Sequence, residues 1–217
     1  GCPFPMIAGK HKGAGMLLYP AQVAEVLAPI AEYPEIQFSL KMRLGWENAS
    51  ECMVLVELLN TLRLSRIALH ARTGKQQYKG HPDLEAFQGF YELCQHPLYY
   101  NGGIESLSDI RQILIRFPLL KGVFIGRGLL SSPLLAKEFK GNETFLPEQR
   151  MSIYFAFHEE LFSAYSQVLQ GETQLLVKMK TLWEYFLPET DRKLLKRIKK
   201  STRLQQYTES VKAIFTS

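Results

Sequence analysis

Two kinds of residue in this sequence could do chemistry: a cysteine in a glycine-rich stretch, and basic or amide side chains at the ends of short apolar runs. Cys2 opens GCPFPMIAGKHKGAGMLL, which has neither helical nor strand periodicity. No second cysteine lies near it in the chain, so its thiol is either incidental or the reactive centre of a loop. Lys41 lies in QFSLKMRLGW, where an exposed lysine is ordinary but a cation could also serve a negatively polarised ring or a phosphate. His70 and Arg72 close SRIALHART, and Asn101, Gly102 and Gly103 close PLYYNGGI. A lone histidine is commonly structural; one that shares a sheet end with Lys41, Arg72 and Asn101 points to a functional site. Gly126 and Arg127 follow in GVFIGRG. Free amides at a helix start favour an anion, and two successive glycine-rich strand ends form the usual phosphate site of a β/α barrel.

Four strand–helix units would position these groups. QFSLKMRLGW, SRIALHART, PLYYNGGI and GVFIGRG read as strands, the first of about six residues. PAQVAEVLAPIAEY, beginning at Pro20, reads as a helix, as does NASECMVLVELLNTLR with Asn48 or Ser50 as cap. HPDLEAFQGFYELCQ begins through Pro82 and Asp83, SLSDIRQILIRF is capped by Ser106 with Asp109 in its first turn, and SSPLLAKEF starts another helix. A repeat of about 30 residues is βα spacing rather than a solenoid period. Strands this short and apolar predict a parallel sheet buried on both faces, with active groups at its C-terminal end. The catalytic domain is expected to span residues 1–139.

From about Lys140 the pattern changes to a small all-α domain, residues 140–217, of three or four helices. Its segments are QRMSIYFAFHEELFSAYSQVL, TQLLVKMKTLWEYFL and RKLLKRIKKSTRLQQYTESVKAIF. Tyr154, Phe155, Trp183 and Tyr185 read as its core rather than as base-stacking platforms. Arg192, Lys196, Lys199, Lys200 and Arg203 fall along one side of the last helix, with Leu194, Leu195 and Ile198 turned inward. That is either a solvated basic face or a surface for an RNA backbone, whose binding would depend on salt.

The 217 residues are 46% hydrophobic, enough for a globular core. Three cysteines at irregular spacing argue against a disulfide framework and for a reducing, cytoplasmic setting, with Cys52 and Cys94 as packing residues. No signal-peptide pattern and no apolar run of about 18 residues is present, so no membrane association is expected. No metal site is expected either. The net charge of +5 suits a polyanionic partner and is also ordinary for a soluble protein.

GCP followed by KGAG, then LKMRLGW, HARTGKQQYKG, NGGI and IGRG, in this order and spacing, resembles the tRNA-dihydrouridine synthases. These segments cover residues 1 to about 135. The resemblance implies the C-terminal half of a TIM (β/α)8 barrel, four parallel βα units, followed by a helical tRNA-binding domain. It implies FMN as cofactor, NADPH as reductant and tRNA as partner. Hydride would pass to C6 of a uridine and the Cys2 thiol would protonate C5; a thiol with a pKa of about 8.5 is mostly protonated at neutral pH. Lys41 and His70 match positions that contact FMN in the family. Asn101, Gly102, Gly103, Gly126 and Arg127 match its phosphate loops, and Arg72, Lys75, Gln76 and Tyr78 lie in the segment on the uridine side.

Two departures accompany the resemblance. Met6 stands where the family pattern GCPxxKV has lysine, with Lys10 and Lys12 following. The GCP loop follows the fourth barrel strand in the family, so the first four strands are expected to be absent and the chain to be a fragment. Raw sheet edges would then invite self-association. A different FMN barrel, of the dihydroorotate dehydrogenase kind, shares the lysine and phosphate loops but does not predict GCP, HART or a basic tail. A non-catalytic RNA-binding fragment predicts the tail but no bound flavin.

Overall fold

The computed structural model describes residues 1–216. The chain divides into two compact units, Gly1–Ile125 and Gly126–Ser217. The first is α/β. Its elements are α1 (Pro5–Ala8), α2 (Pro20–Leu27), β1 (Phe38–Gly45), α3 (Val56–Thr61), β2 (Leu64–Thr73), α4 (Leu84–Leu93), β3 (Leu98–Asn101), α5 (Leu107–Arg116) and β4 (Gly122–Phe124). The four strands pair in parallel in chain order, which leaves β1 and β4 as the edges. Parallel neighbours need crossovers, and helices between the strands supply them.

Those helices cover one face of the sheet. Phe87 of α4 lies edge-on to Tyr100 of β3 at 4.9 Å and to Phe117 at 5.0 Å. Leu44, Leu59, Ile67, Leu69, Phe87 and Phe90 are fully buried around this contact. The sheet is buried on both faces only in part, where the apolar runs predict it throughout: Ser39 and Lys41 of β1 and Arg66 of β2 are exposed, whereas Arg43, Ala68, His70 and Arg72, farther along the same face, are buried. Apolar composition reports that a strand is buried, but only the alternation within β1 separates its two sides.

Helix ends follow local chemistry. Ser106 and Asp109 form a capping box on α5, as their spacing predicts. Asp83 accepts the Ala86 amide at the start of α4. Neither Asn48 nor Ser50 caps the next helical segment by a side-chain bond. Instead the Glu51 carboxylate accepts the amides of Trp46, Glu47 and Asn48 at 2.7, 3.2 and 2.8 Å. The α2 helix stops at Leu27 and continues only as a 3-10 turn, Ala28–Glu32. Pro29 has no N–H to give an α-helical bond.

The second unit is helical: α6 (Arg127–Ser131), α7 (Leu135–Gly141), α8 (Pro147–Val168), α9 (Gly171–Leu182), α10 (Arg192–Lys200) and α11 (Leu204–Phe215). Its core contains Tyr154, Leu175, Leu176, Met179, Trp183, Phe186, Ile198, Tyr207 and Val211. Tyr154 and Trp183 are thus core residues and Phe155 packs on Phe215, whereas Tyr185 is exposed. The last basic segment reads as one helix but forms two. Ser201 bonds back to the Ile198 carbonyl, and Thr202 donates its amide to the Gln206 side chain. Hydroxyl side chains compete with helical backbone bonding, and here two in succession end α10 and open α11. Among the described residues no helix is long and apolar enough to cross a membrane.

Candidate active site on the open sheet face

The register of the strands gathers the basic residues. Arg43, His70, Asn101 and Phe124 pair across all four strands, and Lys41, Ala68, Tyr99 and Gly122 form the row two residues earlier. Strand alternation puts both rows on the open face, together with Arg72. Neither row contains a carboxylate. Lys41 therefore stands at the fourth of eight positions in β1, not at its end, and Arg43 lies nearer the C-terminal edge. Burial of its surroundings and the Arg43 guanidinium hold the Lys41 ammonium below the ordinary lysine range, although the side chain reaches solvent.

Cys2 joins this group through the backbone of its loop. The opening segment is folded where no periodicity announces it: α1 is followed by a 3-10 turn, Gly13–Leu18. Pro5 fixes the first turn of α1. Ala14 donates to the Cys2 carbonyl at 2.9 Å, and a Cβ on Gly13, whose φ is +60°, would come within 2.6 Å of that oxygen. Glycine is thus required for the loop to close beneath Cys2. A Cβ on Gly1 would meet the Lys41 carbonyl at 3.2 Å and the Met42 Cα at 3.4 Å, so the segment lies directly on β1. Cys2 is half-buried and within electrostatic reach of Arg43. Met6, Lys10 and Lys12 are exposed. Burial pushes the Cys52 thiol up to about 12 and raises Cys94 too, as befits packing residues.

His70 and Arg72 are buried, with Arg72 Nη1 at 3.3 Å from His70 Nε2. Asn101 Nδ2 donates to the Phe124 carbonyl at 2.7 Å, tying β3 to β4 at the end of the sheet. Beyond it the chain turns through Gly102 (φ +129°) and Gly103 (φ +64°). A Cβ on Gly102 would sit 3.2–3.3 Å from the His70 ring, and one on Gly103 2.9 Å from Pro82. The two glycines form a cradle beside a histidine and an arginine, a shape and donor set that suit an anion. They are not at a helix N-terminus, as the motif suggests: Ser106 and Asp109 already satisfy the first amides of α5.

The loop after β2 carries the remaining residues. Lys75 pairs with Glu47 at 2.6 Å on the surface. Gln76 accepts the Thr73 amide at 2.8 Å, so part of its bonding capacity serves the turn. Tyr78 is 48% exposed, with its ring centroid 6.3 Å from that of His70. Arg43, a polar strand end to which the sequence assigns no role, is 2% exposed and bonds to this loop. Its signal in the sequence is its spacing, two residues from Lys41 and so on the same strand face.

In the second unit, Gly126 caps the five-residue α6 and Arg127 is its first residue. Arg192, Lys196, Lys199 and Lys200 are exposed on α10, over half-buried Leu194 and Leu195 and fully buried Ile198. Arg203 is exposed but lies off that helix, at the cap of α11.

Comparison with known proteins gives one family, Dihydrouridine synthase, matching residues 1–216. A probable tRNA-dihydrouridine synthase of Rhizobium leguminosarum bv. phaseoli is 30% identical over 134 residues, 61% of this chain and 42% of the relative. A probable tRNA-dihydrouridine synthase of Aquifex aeolicus is 34% identical over 144 residues, 64% of this chain and 45% of the relative. The tRNA-dihydrouridine synthase B of Vibrio vulnificus is 26% identical over 152 residues, 68% and 47% of the two chains. The chain spans about half the length of the curated relatives it matches.

Proposed function

We propose a function from one premise: the chain belongs to the dihydrouridine synthase family. The reading is that it forms part of a tRNA-dihydrouridine synthase, an oxidoreductase that reduces a tRNA uridine to 5,6-dihydrouridine with FMN as cofactor and NADPH as reductant. Its four βα units are proposed as the C-terminal half of a TIM barrel. The exposed side of the sheet supports this, because it carries the polar residues that a closed barrel would turn inward. The edges of β1 and β4 are where further strands, or a second copy, would pair. The helical region from residue 140 onward is proposed as the tRNA-binding domain.

The observation that carries the reading is the meeting of the Cys2 loop with a row of basic and amide groups free of carboxylates. Lys41 and His70 would hold the flavin, and Asn101, Gly102 and Gly103 its phosphate side. For Gly126 and Arg127 the same assignment rests on the motif alone. Bound there, FMN supplies a two-electron hydride carrier. Cys2 Sγ–H then has the role of delivering a proton to C5 of the uridine. Arg72, Lys75, Gln76 and Tyr78 are assigned to the uridine side. The exposed cations of α10, with Arg203, are assigned to the tRNA backbone.

The test is single-turnover reduction of unmodified tRNA by the intact flavoenzyme, with dihydrouridine read by mass. Cys2→Ala should slow uridine reduction by about 10²–10⁴-fold, the usual worth of a general acid, while NADPH still reduces the flavin. An alanine variant as fast as the native enzyme would remove Cys2 from the mechanism.

A further inference from the structure

The loop between β2 and α4 is fastened by two buried guanidinium groups rather than by apolar packing. Arg43 Nη1 donates to the carbonyls of Thr73 at 2.8 Å and Gln77 at 2.7 Å. Arg72 donates from Nε and Nη2 to the Gly80 carbonyl at 3.2 and 2.9 Å. The loop needs such fastening, because Gln77 and Gly80 both hold positive φ, 51° and 66°. A left-handed non-glycine residue persists only where its surroundings hold it. The Arg43 guanidinium carbon also lies 5.4 Å from the Tyr78 ring centroid, a cation–π contact. A buried cation satisfied by carbonyls and an aromatic ring, with no carboxylate partner among the described residues, is costly to keep for stability alone.

We propose that Arg43 is a positioning residue: by gripping Thr73, Gln77 and Tyr78 it sets the 74–80 loop over the open sheet face beside His70. It acts through the loop rather than on the reacting atoms. The inference rests on the reading of this face as the uridine site, but its structural half can be measured without turnover. Lysine keeps the charge and loses the planar group, so it cannot bond the two carbonyls and lie over the Tyr78 ring at once.

The test compares Arg43→Lys and Tyr78→Leu with the native, intact flavoenzyme by hydrogen exchange at Lys75, Gln77 and Lys79. The amides of these residues are bonded to Trp46, Gly74 and Gln76. In Arg43→Lys they should exchange about tenfold faster, with amides of β3 unchanged. Maximal uridine reduction should fall while KM for tRNA stays within about twofold, since positioning acts on the reacting geometry more than on overall binding. Tyr78→Leu, which removes the ring beside the guanidinium at a half-exposed residue that cannot unfold the sheet, should shift the same amides in the same direction by about threefold. Native exchange in the loop of Arg43→Lys overturns the inference. So does native exchange in Tyr78→Leu, if the lysine variant does not fold. If the native enzyme reduces no tRNA uridine, the functional reading fails while the exchange data still decide whether Arg43 sets the loop.

Discussion

The two units both gather basic side chains, and they solvate them in opposite ways. On the sheet, Arg43 and Arg72 are buried and hand their protons to main-chain carbonyls. On α10, Arg192, Lys196, Lys199 and Lys200 stand in water above a short apolar stripe. The buried polar groups of the second unit are matched to one another instead: Arg150 pairs with Glu138, and Trp183 and His158 share the Tyr207 hydroxyl. Burying a cation costs free energy even when its hydrogen bonds are met, and a fold keeps it where a ligand or a strained loop needs the charge. Exposure costs little and leaves a charge free to meet a polyanion, at the expense of screening by salt. The buried pair thus suits holding a loop in place, and the exposed row suits long-range attraction, as proposed for each.

The largest effect that could break this contrast is the loss of a buried cation. Arg72→Ala should destabilise the first unit by about 1.5–3 kcal/mol, the usual loss for hydrogen bonds from a charged donor, since the Gly80 carbonyl is left without its partners. Denaturant unfolding checks it, and the loss should be nearly the same at low and high salt. A loss that vanished in high salt would mean that the sheet cations behave like surface charges.

Much of this arrangement is legible in the chain, and what is not has definite causes. The four strands are where the apolar runs fall, because βα alternation leaves a strong periodic trace, and the Ser106–Asp109 box on α5 is a purely local signal. The side of the sheet left open is not legible, since it depends on what packs on each face rather than on strand composition. The folded loop around Cys2 is invisible to periodicity because glycines and prolines shape it. Arg43 is legible as a polar strand end beside Lys41, but its role is not, for a related cause. Its partners, Thr73 and Gln77, are 30 and 34 residues away and offer only backbone oxygen, which no side-chain motif encodes. The break at Ser201–Thr202 carries a local signal in its two hydroxyl residues, but the basic periodicity across it dominates.

A smaller effect is expected on the exposed cluster. Replacing Lys196, Lys199 and Lys200 together by alanine keeps helix propensity and removes three solvated charges. Under the tRNA-binding proposal, the slope of log K against log salt should become shallower by about two, at roughly 0.7–0.9 for each phosphate no longer neutralised. Affinity at low salt should drop about tenfold, with folding stability unchanged. Filter binding of tRNA over a salt series measures both. An unchanged slope would mean that these lysines form a solvated face and nothing more.

The smallest effect concerns a proton inside the second unit. Trp183 Nε1 donates to the Tyr207 oxygen at 2.9 Å, so the single Tyr207 proton is directed at His158 Nε2, 2.6 Å away. That bond requires His158 neutral at Nε2, with Nδ1–H facing Glu159 at 3.1 Å. Burial holds the folded His158 pKa below its ordinary value of 6.5, only partly offset by Glu159. The unfolded chain therefore takes up the proton first. Stability should be level above about pH 6.5 and fall as pH drops below it, until the folded value is reached. The fall is modest because the Tyr207 oxygen can rotate its proton away and accept from a charged ring. Melting temperatures over this range should show a steeper acid slope for the native protein than for His158→Gln, whose amide oxygen accepts from Tyr207 without titrating. Equal slopes would show that His158 titrates as freely in the folded unit as in the unfolded chain.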